Sequence, residues 1–160
     1  MMQRRQLIRT TALIAGAAAI APALMAQTRH RVEVWKDPDC GCCKDWVAHL
    51  EANGFTVRVH DSGNTAARKR LGIPDKLGSC HTAEVNAKGR RYALEGHVPA
   101  REVRRLLKEA PTAIGLAVPG MPVGSPGMDA PLYGGRKDPY DVLLVLQDGS
   151  SRVYQSYHRS

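Results

Sequence analysis

From Arg31 the chain alternates short apolar runs with helical patterns, each closed by glycine or proline, and that alternation restricts the fold more than any other feature. Residues 31–35, with Val32-Glu33-Val34-Trp35, read as a strand. Trp46, Val47 and Leu50 recur at helical spacing over about 43–52, and Gly54 stops that helix. A second strand at 55–60 (Phe-Thr-Val-Arg-Val-His) precedes a helix that runs from Asn64, a good N-cap, to Leu71, with Gly72 and Pro74 ending it. This opening is a βαβα unit, which requires a parallel strand pair. After a linker at 75–78, runs at 79–85 and 91–95 flank the turn Asn86-Ala87-Lys88-Gly89 and read as a hairpin. Gly96-His97-Val98-Pro99 leads into a helix at 100–109 with Val103, Leu106 and Leu107 on its apolar face. The order βαβ-α-ββα predicts an α/β, thioredoxin-like domain over about 31–110.

The rest of the chain differs in kind. Residues 118–128 are too rich in proline and glycine for a helix or a central strand, so they predict an ordered surface loop carrying Met121 and Met128. Residues 141–157 then form a terminal hairpin closed by Asp148-Gly149, which packs on or extends the same sheet. A length of 160 residues without an internal repeat suits one domain. Residues 1–26 stand apart: Arg4-Arg5 and Arg9, an apolar stretch from Thr11 to Ala21, small residues before Gln27, and no acidic group. That is the pattern of a cleaved secretory signal, with an apolar part shorter than the roughly 20 residues of a membrane span. Arg4-Arg5-Gln6-Leu7-Ile8 also resembles a twin-arginine signal. The mature domain is then 27–160, periplasmic, with no stable membrane span.

Three of the 23 basic residues belong to that signal, which takes the formal charge from +8 to +5. The remaining cations are scattered over helices, and one Phe and two Trp offer little for base stacking, so nucleic acid is not the expected partner.

Three of the four cysteines, Cys40, Cys42 and Cys43, fall within four residues at the first strand-to-helix turn. Backbone N–H groups and the helix dipole favour thiolate at such a turn. In a thioredoxin-like arrangement this turn, the start of the third strand and the start of the last helix meet at one end of the sheet. That would gather Cys40, Cys42, Cys43, Cys80, His81 and His97. Three chemistries fit. Structural disulfides suit an oxidising compartment, although adjacent Cys42 and Cys43 join each other only with strain. A thiol–disulfide oxidoreductase would use Cys40 and Cys43 and leave Cys42 superfluous. A metal uses all four thiols. Zinc accepts a four-sulfur shell, whereas copper(I) is softer, takes thiolate, imidazole and thioether alike, and can be held as more than one ion by bridging sulfurs. Copper(I) is therefore the expected cargo. Met121 and Met128 are candidate lid or transfer ligands, against the simpler reading of apolar packing. His30, His49, His60 and His158 have no expected role.

Cys-Gly-Cys-Cys-Lys-Asp-Trp (40–46), Ser-Cys-His-Thr-Ala (79–83), Glu-Gly-His-Val-Pro-Ala (95–100) and the Val-Pro-Gly-Met…Ser-Pro-Gly-Met run (118–128) together resemble the CopG-type family of exported copper-resistance and metal-binding proteins. The resemblance covers about 31–157, with Asp129 standing where the family usually has Glu. It implies a thioredoxin-like fold and copper(I) held by cysteines matching Cys40, Cys42, Cys43 and Cys80. It leaves the reaction open between storage, transfer to another periplasmic copper protein, and a change of copper oxidation state.

Overall fold

In a computed structural model, residues 29–159 form three helices around one seven-stranded sheet. The signal segment read at 1–26 lies outside the described residues. β1 (Arg31–Lys36) buries Val32 and Val34 completely, while Glu33 and Trp35 between them turn to the other face. α1 (Gly41–Ala52), β2 (Thr56–His60) and α2 (Thr65–Leu71) follow, and β1 and β2 are parallel as the alternation requires. β3 (His81–Ala87) and β4 (Arg90–Glu95) form the hairpin, and α3 (Ala100–Glu109) has the bounds its periodicity predicts.

One strand is not foreshadowed by the sequence pattern. β5 (Gly115–Ala117), only three residues long, pairs parallel with β4 and antiparallel with β6 (Tyr140–Val145). β6 and β7 (Ser151–Tyr157) make the terminal hairpin, so β5 splices that hairpin onto the sheet in the order β2-β1-β3-β4-β5-β6-β7.

Helices cover both faces. Trp46 and Leu50 of α1 and Val103, Leu106 and Leu107 of α3 pack with Val32, Val34, Val85 and Leu94 into the larger core. Leu71 of α2, with Ile73 and Leu77, packs against Ala93, Ala117 and Val145 on the opposite face.

Two helix starts depart from expectation. α1 begins at Gly41 rather than near Cys43, with Cys40 as an N-cap that supplies no side-chain hydrogen bond. Asn64 sits at the N-cap of α2, but its amide is used elsewhere: it donates to the Ser79 carbonyl (3.1 Å) and to Thr82 Oγ1 (3.2 Å). His49, for which the sequence suggested no role, accepts the Ala100 N–H at the start of α3 (3.1 Å) and so serves an orphan donor there.

Candidate metal centre

The strand register determines what meets. Lys36, the last residue of β1, lies opposite His81, the first of β3, and Thr82 lies opposite Glu95, the last of β4. The turn after β1, the start of β3, the segment after β4 and the loop after β5 therefore share one end of the sheet. Cys42 and Cys43 occupy the first turn of α1, Cys80 immediately precedes β3, and His97 precedes α3.

One ligand atom from each of Cys40, Cys42, Cys43 and Cys80 lies within 4.8 Å of the others, and a second group, Cys80, His81 and His97, meets the same limit. Cys40 and Cys43 are joined as a disulfide, leaving Cys42 and Cys80 free. Cys42 Sγ is 3.6 Å from Cys40 Sγ and 3.7 Å from Cys80 Sγ. Cys80 Sγ is also 3.4 Å from His81 Nδ1 and 3.3 Å from His97 Nε2. Cys80 thus belongs to both groups and is the joint between the sulfur and imidazole sides.

Burial sets the protonation. The Cys80 thiol is pushed up to about 12 by burial and then by Cys42 beside it, so it is protonated at neutral pH in the metal-free protein. Both imidazoles are fully buried and held below the ordinary histidine range, chiefly by burial, with the neighbouring His97 adding to the effect on His81. His81 Nε2 is buried without a hydrogen-bond partner among the described residues, an orphan of the kind that metal and redox sites tolerate.

Sequence reasoning did not find the groups that hold Cys80 in place. Glu95 is fully buried; its Oε1 accepts from Ser79 N–H (2.7 Å) and Arg68 Nε (2.9 Å), and its Oε2 from Thr82 Oγ1 (2.6 Å). Arg68 Nη2 donates to the Ser79 carbonyl (2.6 Å). Both polar groups of the Ser79 backbone are therefore fastened one residue ahead of Cys80. The available signal was a carboxylate ending the apolar run Tyr92-Ala93-Leu94, since a charge at the end of a buried strand needs a partner.

The Pro-Gly-Met loop closes over the same end. Gly127, at φ +84°, lies so near α1 that a Cβ there would stand 2.6 Å from the Cys42 carbonyl oxygen and 2.8 Å from Trp46 N. Pro126 O accepts from His97 Nδ1 at 2.8 Å. The two methionines diverge: Met128 is buried with its sulfur 3.6 Å from the Tyr133 hydroxyl, whereas Met121 is 52% exposed.

A cavity of about 750 Å³, lined by Phe55, Ala87, Arg104 and Lys108 among others, lies at the opposite end of the sheet. The four cysteine sulfurs lie within 4.8 Å of one another, a spacing that suits an ion better than an organic substrate.

Residues 77–128 match a family described as a protein of unknown function, DUF411. Two solved structures are similar throughout. The copper resistance protein CopG, form 2, is 44% identical with a TM-score of 0.71, covering 81% of this chain and 98% of that one. Form 1 is 45% identical with a TM-score of 0.70, covering 79% and 96%. No curated protein sequence matches.

Proposed function

The chain belongs to the CopG copper-resistance family, and from that premise we propose that it is a periplasmic copper(I)-binding protein, which stores, hands on or changes the oxidation state of copper. The observation that carries this reading is the meeting of four cysteine sulfurs and two neutral imidazoles on a centre bridged by Cys80. Thiolate and imidazole are the ligands copper(I) favours, and closely spaced thiolates can bridge ions. Capture must displace the Cys80 proton, so affinity rises with pH.

Several finer features belong to the same proposal. A thioredoxin-like domain is supported by the β2-β1-β3-β4 order with β1 and β2 parallel and β3 reversed. The domain is 27–160, with 118–128 as its loop and 141–157 as its terminal hairpin, and 1–26 is the export signal. Among the described residues no helix is long and apolar enough to cross a membrane. Another periplasmic copper protein is the partner that hand-over requires.

Copper titration of the fully reduced protein tests the reading. More than one copper(I) per chain is expected, with thiolate-to-copper absorption. Cys42→Ser should remove at least one equivalent, because Cys42 lies next to both Cys40 and Cys80. A second reading, a thiol–disulfide oxidoreductase acting through Cys40 and Cys43, is favoured by their disulfide. Unchanged copper binding in Cys42→Ser would select it.

The exposure of Met121, against the burial of Met128, supports Met121 as the methionine that meets copper in transit. Met121→Leu is expected to change the rate of copper exchange with a competing chelator. Met128→Leu should cost less than about 1.5 kcal/mol of stability and leave that rate alone. Identical exchange rates in parent and Met121→Leu would make the exposed methionine a bystander.

A further inference from the structure

With Cys40 and Cys43 joined to each other, the centre still presents two free thiols and an imidazole, with Cys80 touching both Cys42 and His97. Cys42 Sγ and Cys80 Sγ are 3.7 Å apart, and His97 Nε2 is 3.3 Å from Cys80 Sγ. Two thiolates in a trigonal shell, at metal–sulfur distances of about 2.3 Å, stand about 4 Å apart. The two thiols therefore need only a small displacement to share one ion.

His97 is prepared for the third place. Its Nδ1 faces the Pro126 carbonyl at 2.8 Å, and a carbonyl only accepts, so the ring hydrogen sits on Nδ1. The Nε2 lone pair is then left on the Cys80 side, the arrangement by which an outer carbonyl orients a metal-ligating histidine. Pro126 is itself held close, because Gly127 beside it rests on the backbone of Cys42 and Trp46. The loop thus orients His97 toward Cys80, the thiol that also meets Cys42.

We infer that the disulfide form of the protein retains a one-ion copper(I) site made of Cys42, Cys80 and His97. This rests on the copper reading above and goes beyond it: the Cys40–Cys43 disulfide sets how many ions are held, rather than whether any is. Reduction of that disulfide by an external dithiol, which is itself oxidised to a disulfide as it supplies two electrons and two protons, adds two thiols to a site that already exists. Three soft or borderline ligands suit copper(I), which has no need of a fourth.

The test uses protein with the disulfide intact, verified by alkylation of two thiols per chain in the mass spectrum. It is titrated anaerobically with copper(I) against bicinchoninate, beside fully reduced protein. The disulfide form is expected to bind one copper(I) per chain, with a sulfur-plus-nitrogen shell in X-ray absorption. Cys42→Ser in that form should abolish binding, and His97→Gln should weaken it by about tenfold or more. The double variant Cys40→Ser/Cys43→Ser, which cannot form the disulfide, should reproduce the single equivalent, so the result does not hinge on disulfide survival during titration. If the disulfide form and the double variant take up no copper while reduced parent does, the one-ion site is refuted and the copper function stands. If reduced parent takes up none either, both fall. Binding of one ion indifferent to both Cys42→Ser and His97→Gln would also overturn the assignment.

Discussion

Gly115→Ala is expected to destabilise the protein by about 3 kcal/mol or more, at or beyond the upper end of ordinary overpacking. β5 lies between β4 and β6, with Gly115 opposite Ala93 on one side and Val145 on the other. A Cβ at 115 would collide with the Ala93 carbonyl oxygen and stand 2.7 Å from that residue's carbonyl carbon and from its nitrogen. These are backbone atoms of a central strand, so no rotamer change relieves the clash. β5 would have to move, and the terminal hairpin joins the sheet through it. Urea denaturation of parent and variant measures the effect. A loss under about 1 kcal/mol would mean that β5 can shift away from β4 at little cost, and that the close approach is incidental.

Arg68→Ala is the other large effect, expected at about 3–5 kcal/mol, the range for removing one partner of a buried ion pair. Glu95 is fully buried, and burial already raises its pKa above the ordinary carboxylate value despite opposing hydrogen bonds from Thr82 and Ser79 and the charge of Arg68. Removing Arg68 raises it further. A carboxyl whose folded pKa exceeds its unfolded one binds the extra proton in the folded state, so stability falls as pH rises between the two values. The variant should therefore lose more at pH 8 than at pH 5. Because Arg68 also holds the Ser79 carbonyl, Cys80 should be alkylated faster than in the parent. A small, pH-independent loss with unchanged alkylation would show that Glu95 is adequately held by Thr82 and Ser79 alone.

The elements that declared themselves in the sequence were those with length and punctuation. α3 carried a strong apolar face between Pro99 and Ala110, and its bounds are the ones its periodicity marks. Gly72 ends α2 in the left-handed conformation that a glycine stop implies. Asp148-Gly149 turned the terminal hairpin as that dipeptide suggests. β5 was illegible because three residues, Gly-Leu-Ala, carry neither alternation nor length, and their strand character comes from the neighbours on both sides.

The site divides in the same way. That Cys40, Cys42, Cys43, Cys80, His81 and His97 would converge followed from element order. What could not be read was a contact between backbones. The glycine that seats the loop on α1, Gly127, looks in sequence like Gly120 of the same loop, around which a Cβ would meet none of the described residues within 4 Å. Asn64 was legible as a cap from its type and place, yet tertiary partners claimed its side chain.

The spacing of the cysteines along the chain separates chemistry from scaffolding. Cys40 and Cys43 are three residues apart, and closing so short a loop removes only about 2 kcal/mol of entropy from the unfolded chain. An ion shared by Cys42 and Cys80 would close a loop of 38 residues, a constraint of about 4 kcal/mol on the same scale. The covalent bond is thus the weaker staple, and an ion held as proposed would be the stronger one: its loss would slacken the chain more than reduction of the disulfide would.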